Sequence, residues 1–85
     1  MDLTYRMIMI LEVVLKRNTD GSLVDLDQII ERVDYEVTKP AIQFTLRRMV
    51  EHGVIEKFGM EKRRGKSRVI YRGTELGYQA LKVHR

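Results

Sequence analysis

The chain has no cysteine. That excludes disulfides and thiolate metal sites, and it suits a reducing compartment such as the cytoplasm. Long apolar runs are also missing. The longest, residues 7–11, is far short of the roughly 20 residues that cross a bilayer. No cleavable signal is visible, so a cytoplasmic protein without a membrane segment is expected. The sequence lacks a glycine-rich phosphate loop, a nucleophile elbow and a paired-carboxylate motif. Nothing in it carries catalysis, and no enzyme activity, cofactor or small-molecule ligand is expected. His52 and His84 have no ligand spacing to each other and read as a helix-end surface residue and a tail residue. Asp20, Asp25 and Asp27 lie close together but lack the spacing and closing glutamate of a calcium loop. No metal site is expected.

What the chain has is cationic charge, unevenly placed. The net charge of +4 conceals an asymmetry. Residues 1–37 hold Arg6, Lys16, Arg17 and Arg32 against eight acids, whereas residues 38–85 hold twelve bases against Glu51, Glu56, Glu61 and Glu75. Such segregation implies a side that faces a polyanion. The bases peak at Lys62, Arg63, Arg64, Lys66 and Arg68, five within seven residues.

At 85 residues the chain is expected to form one domain over residues 1–85. Residues 3–17 read as a helix with an apolar stripe of Leu3, Met7, Leu11 and Val14, joined by Ile8 and Leu15. Met9, Ile10 and Val13 lie outside that stripe, so this helix is apolar nearly all round and needs cover on a second side. Residues 18–22 form a turn, and Leu23 and Val24 a short strand. Asp25 caps the next helix with Gln28 as its capping-box partner, and that helix buries Leu26, Ile29, Ile30 and Val33. Thr38 caps a third helix, with the single proline, Pro40, in its first turn, where a missing N–H costs nothing. Ile42, Leu46 and Met49 face the core, and Gly53 ends the helix. Residues 54–59 and 67–72 read as strands of a hairpin that Gly65 lets reverse tightly, with Phe58 and Tyr71 as packing candidates. Thr74 caps a last helix, with Leu76, Ala80 and Val83 on its inner side.

The order is helix, short strand, helix, turn, helix, hairpin, helix. With residues 29–37 as first helix and turn, Thr38-Lys39-Pro40-Ala41-Ile42-Gln43-Phe44-Thr45-Leu46-Arg47-Arg48-Met49 looks like a recognition helix, and Gly53-Val54-Ile55 like its exit into a wing. Tyr71-Arg72-Gly73-Thr74-Glu75-Leu76-Gly77 is similar to the strand-to-helix join of MarR-like and PadR-like regulators. The chain therefore resembles the winged helix–turn–helix family over nearly its whole length. The resemblance implies an α+β, mostly α fold: a three-helix core, a two- or three-stranded β wing and a C-terminal helix. The turn at residues 34–37 is longer than the commonest form, and Gly73 stands where a leucine is usual.

The resemblance implies double-stranded DNA as partner, with residues 38–52 in the major groove and a basic wing, residues 59–68, on adjacent backbone or minor groove. On the outward face Gln43 can read adenine and Arg47 guanine. Thr38 and Lys39 suit a phosphate at the helix start, and Arg48 shares that face. For Phe44 two readings stay open: contact with thymine methyl groups, or packing against the neighbouring helix or the wing base. Lys62, Arg63, Arg64, Lys66 and Arg68 would follow phosphates or enter a minor groove; alternatively they form a solvated tip that discourages edge pairing. The outer apolar face of the first helix, Met9, Ile10 and Val13, is expected to make a homodimer. The function expected is sequence-specific regulation of transcription. A protein-docking adaptor and a non-specific or RNA-binding role remain as alternatives, because fold does not fix function.

Overall fold

The computed structural model describes residues 3–83. Its elements are α1 (Tyr5–Lys16), β1 (Val24–Asp25), α2 (Leu26–Arg32), α3 (Lys39–Glu51), β2 (Ile55–Arg63), β3 (Lys66–Gly73) and α4 (Glu75–Val83). The strands form one antiparallel sheet in the order β1-β3-β2. His84, expected in the tail, lies outside the described residues.

Each helix begins where a short polar side chain meets orphan amides. The Thr4 hydroxyl accepts from the Met7 amide at 3.2 Å, and Thr38 accepts from Ala41 at 3.3 Å. Asp25 makes the complete capping box: its carboxylate accepts from the Gln28 amide at 2.9 Å, and Gln28 Oε1 accepts from the Asp25 amide at 3.1 Å. α3 ends at Gly53, whose φ of +78° suits glycine.

Ile42, Leu46 and Met49 carry α3 into the core, as their spacing predicts. In α1 the buried set is Met7, Ile10, Leu11 and Val14. Ile10 thus departs from the sequence expectation of an outer position, since it is fully buried in the chain's own core. The reason is spacing combined with cover: Met7, Ile10, Leu11 and Val14 form one band at intervals of three and four, and α2, β3 and α4 all pack on this helix. Only Met9 and Val13 of the supposed outer face stay half-buried.

The last helix is rotated from its expected orientation. Leu76 is 51% and Val83 82% exposed, while Gly77 and Leu81 face inward. A close backbone approach sets this rotation. The Thr74 hydroxyl donates to the Gly53 carbonyl at 2.5 Å and accepts from the Gly77 amide at 3.0 Å, and the Thr74 amide donates to the Val54 carbonyl at 3.2 Å. A Cβ at Gly77 would overlap the Val54 carbonyl oxygen. A contact made by a side chain's absence leaves no apolar stripe to read.

The hairpin strands are longer than expected. The ladder continues to Arg63 and Lys66, and only Arg64 and Gly65 turn the chain, both with positive φ, 52° and 78°. This is the two-residue turn that matches strand twist. A bulge at Phe58 and Gly59 interrupts the ladder between Lys57 and Met60.

Replacing Gly77 with alanine is expected to reduce stability by about 2–3 kcal/mol through overpacking against the Val54 backbone. Urea denaturation measures this. A midpoint unchanged from the parent would disprove the close approach.

Candidate nucleic-acid interface

The exposed face of α3 carries Lys39, Gln43, Phe44, Arg47 and Arg48, with Thr38 exposed at its cap. Lys39, Gln43 and Arg47, at successive four-residue intervals, line a cleft between α3 and the hairpin. Its other walls are Lys57, Ser67, Arg68, Val69 and Tyr71 of β2 and β3, with Leu26 and Asp27 of α2. Phe44 is 56% exposed, and the Arg48 guanidinium lies 5.9 Å from its ring centroid. Phe44 is therefore not packed away, and its ring is open to solvent beside a cation.

Strand register divides the hairpin's charges between two faces. Residues directly opposite in a ladder share a face, and faces alternate along a strand. Lys57 opposite Tyr71, Met60 opposite Val69 and Lys62 opposite Ser67 therefore look the same way, and Lys57, Ser67, Val69 and Tyr71 of this face line the cleft. Glu56 opposite Arg72, Glu61 opposite Arg68 and Arg63 opposite Lys66 start from the other face, although the Arg68 side chain, paired with Asp27, still reaches the cleft wall.

The second face is where the sequence expectation for the wing needs correction. Arg63 does not extend into solvent: its side chain is 15% exposed, and Nη1 donates to Asp25 Oδ2 and Gln28 Oε1, both at 3.2 Å, while Nη2 donates to Glu61 at 2.8 Å. Arg68 is paired with Asp27 of α2 and is mostly covered. Arg64 lies 3.8 Å from both Asp25 and Glu31 but is more than half exposed. Lys62 and Lys66 are exposed. The cationic run read as one outward cluster is thus split, with Arg63 and Arg68 turned onto the acidic start of α2. Burial works against the Arg63 charge, but hydrogen bonds to Glu61 and Asp25 outweigh it and raise its pKa above the ordinary arginine value.

Lys57 is the residue that the sequence reading missed. The alternation that buries Ile55 also places Lys57 on the same face, two residues further out, where it faces α3. That signal was available once the strand start was fixed. Phe58, by contrast, lies in the bulge with the Arg72 guanidinium 4.0 Å from its ring centroid, and it is half exposed. Tyr71 is buried, as expected of a packing residue.

Among the described residues, no three histidine, cysteine or carboxylate groups lie close enough together to hold a metal ion. No helix among them is long and apolar enough to cross a membrane.

A crystal structure of a PadR family transcription regulator from hypervirulent Clostridium difficile R20291 superposes on this chain with a TM-score of 0.75. The alignment covers 95% of this chain and 83% of that one, at 20% sequence identity. The fold is a winged helix–turn–helix. Within it α2 and α3 are the paired helices, the hairpin β2–β3 is the wing, and α4 follows the wing. No protein-family model matches the sequence, and no curated protein matches it.

Tyr71 lines the cleft, and burial raises its phenol above the ordinary value near 10. The neutral form is thus favoured in the folded state. Its contribution to stability is complete below pH about 10 and is lost as pH rises through the higher folded value. The hydrogen bond to Asp34 raises Tyr5 and burial raises Tyr35 as well. An ultraviolet phenolate titration should therefore show several late-ionising tyrosines, one of which disappears in Tyr71→Phe, and that variant should lose less stability above pH about 10.

Proposed function

We propose that the protein is a sequence-specific double-stranded DNA-binding regulator of transcription, a single winged-helix unit that works in the cytoplasm as a homodimer. The cleft carries this reading. It sets Lys39, Gln43 and Arg47 on α3 opposite Lys57 and Ser67 of the wing. A recognition helix can then enter a major groove while the flanking phosphate strand passes between two cationic walls. Gln43 and Arg47 supply bidentate base readout, and Phe44 offers an open apolar ring to thymine methyl groups. Thr38 and Lys39 at the helix start, Arg48, and the wing cations Lys57, Lys62, Arg64 and Lys66 contact phosphates. The likeness to a solved transcription regulator supports the same direction.

Selection of bound sites from random duplexes tests the reading. Gln43→Ala or Arg47→Ala should cost about 1–3 kcal/mol on the selected site and relax preference at one or two base pairs. Lys57→Ala should instead weaken all duplexes alike and reduce the salt slope by about 1. Failure of the parent protein to shift any duplex at low salt would leave the protein-docking reading in its place.

The dimer is drawn from surfaces left uncovered by the core. Met9 and Val13 of α1 line a groove with Tyr78 of α4, and Leu76, Tyr78 and Val83 expose apolar surface on that helix. A second copy seated here would place two recognition helices roughly 34 Å apart, matching a near-palindromic site. Sedimentation of the parent against Val13→Glu is the check: a dimer should become a monomer, and a parent that stays monomeric on DNA as well as off it contradicts the arrangement.

A further inference from the structure

The wing lacks support from its own sheet. β1 pairs only with Ile70 and Tyr71 of β3, so the remaining ladder out to Arg63 and Lys66 has two strands. The bulge at Phe58 and Gly59 interrupts it further. A two-stranded hairpin alone is marginal in water, so something outside the sheet must fix its direction.

That support comes from α2. Asp25 is fully buried, and its two carboxylate oxygens have different partners: Oδ1 accepts from the Gln28 amide at 2.9 Å and Oδ2 from Arg63 at 3.2 Å. Gln28 Oε1 accepts from the same arginine at 3.2 Å, from the Asp25 amide at 3.1 Å and from Asn18 Nδ2 at 3.3 Å. Arg68 pairs with Asp27 beside this network. A buried carboxylate cannot exchange its partner for water without a large desolvation penalty, so the guanidinium holds a fixed place.

We propose that Arg63 is a positioning residue of the DNA interface: it clasps the wing to the start of α2 through Asp25 and Gln28, and it does not itself bind phosphate. This rests on the DNA-binding reading above. The clasp turns Arg63 to one sheet face and leaves Lys57 and Lys62 on the other, with Lys57 beside α3. Asp25 is then both the cap of α2 and the anchor of the wing.

The experiment compares Arg63→Gln, Asp25→Asn, their double variant and Lys62→Ala. Asparagine caps a helix about as well as aspartate, so Asp25→Asn removes the charge while keeping the start of α2. Amide hydrogen exchange across the wing is measured in the free protein, and affinity for a mixed-sequence duplex is measured against salt. Arg63→Gln and Asp25→Asn should each speed wing exchange about tenfold, as loss of a charge-assisted hydrogen bond implies. Each should weaken duplex binding without changing the salt slope, and the double variant should resemble the singles. Lys62→Ala should leave wing exchange alone and lower the slope by about 1. If Asp25→Asn tightens binding and Arg63→Gln lowers the slope by about 1, Arg63 is a phosphate ligand and the clasp is wrong. Unchanged wing exchange in both clasp variants overturns it equally. A parent protein that binds no duplex defeats the DNA-binding reading, while the exchange measurements still decide the clasp.

Discussion

Asp25 is the one charged residue with no solvent exposure among the described residues, and its carboxylate ties two halves of the molecule together. A buried carboxylate is tolerated only when paired and hydrogen-bonded. Here the required partners are one local and one distant in sequence, Gln28 three residues away and Arg63 thirty-eight residues away. The start of α2 and the direction of the wing are therefore set by the same group. Removing Arg63 leaves the buried carboxylate with only Arg64 as a cation, 3.8 Å away and more than half exposed, a greater penalty than the loss of an exposed ion pair.

This pairing changes the meaning of the charge segregation along the sequence. The acidic first part of the chain and the basic second part are not kept on separate sides. Asp25 at the cap of α2, with Asp27 and Glu31 within it, meets Arg63, Arg68 and Arg64 of the wing. Part of the apparent polyanion-binding charge is neutralised inside the fold. The remainder is ordered by β alternation, which puts Lys57 and Lys62 on one face of the wing, with Lys57 beside α3. The cationic surface is smaller than composition suggests, but its position beside α3 is better defined.

Features set by neighbours in sequence were legible before the fold was known. The capping box at Asp25 and Gln28, the Thr38 cap and the inward spacing of Ile42, Leu46 and Met49 depend on residues within a turn or two of each other. The order of elements followed from these signals. What escaped was set by distant contacts. Ile10 is buried because α2, β3 and α4 all cover α1. The rotation of α4 is fixed by Gly77 lying on the Val54 carbonyl, a contact that no apolar spacing records. The inward turn of Arg63 and Arg68 needs acids 38 and 41 residues away. The exposed face of α3 follows from its apolar spacing, whereas Lys57 takes its place in the cleft from the alternation of β2, legible only once the start of that strand at Ile55 is fixed.

The two-residue turn at Arg64 and Gly65 also gives the wing a mechanical character. No slack loop sits at its end, so the tip cannot move independently of the strands. Behind it the ladder is interrupted at the bulge of Phe58 and Gly59, the natural fulcrum of any swing. From there to the tip is about five residues, a lever arm of roughly 16 Å. A 10° swing about that fulcrum would carry the tip about 3 Å, close to the rise of one base pair. Arg63, one residue before the turn, is held on buried Asp25, so a swing of that size would break the pair, and the clasp keeps the tip from shifting by such a step.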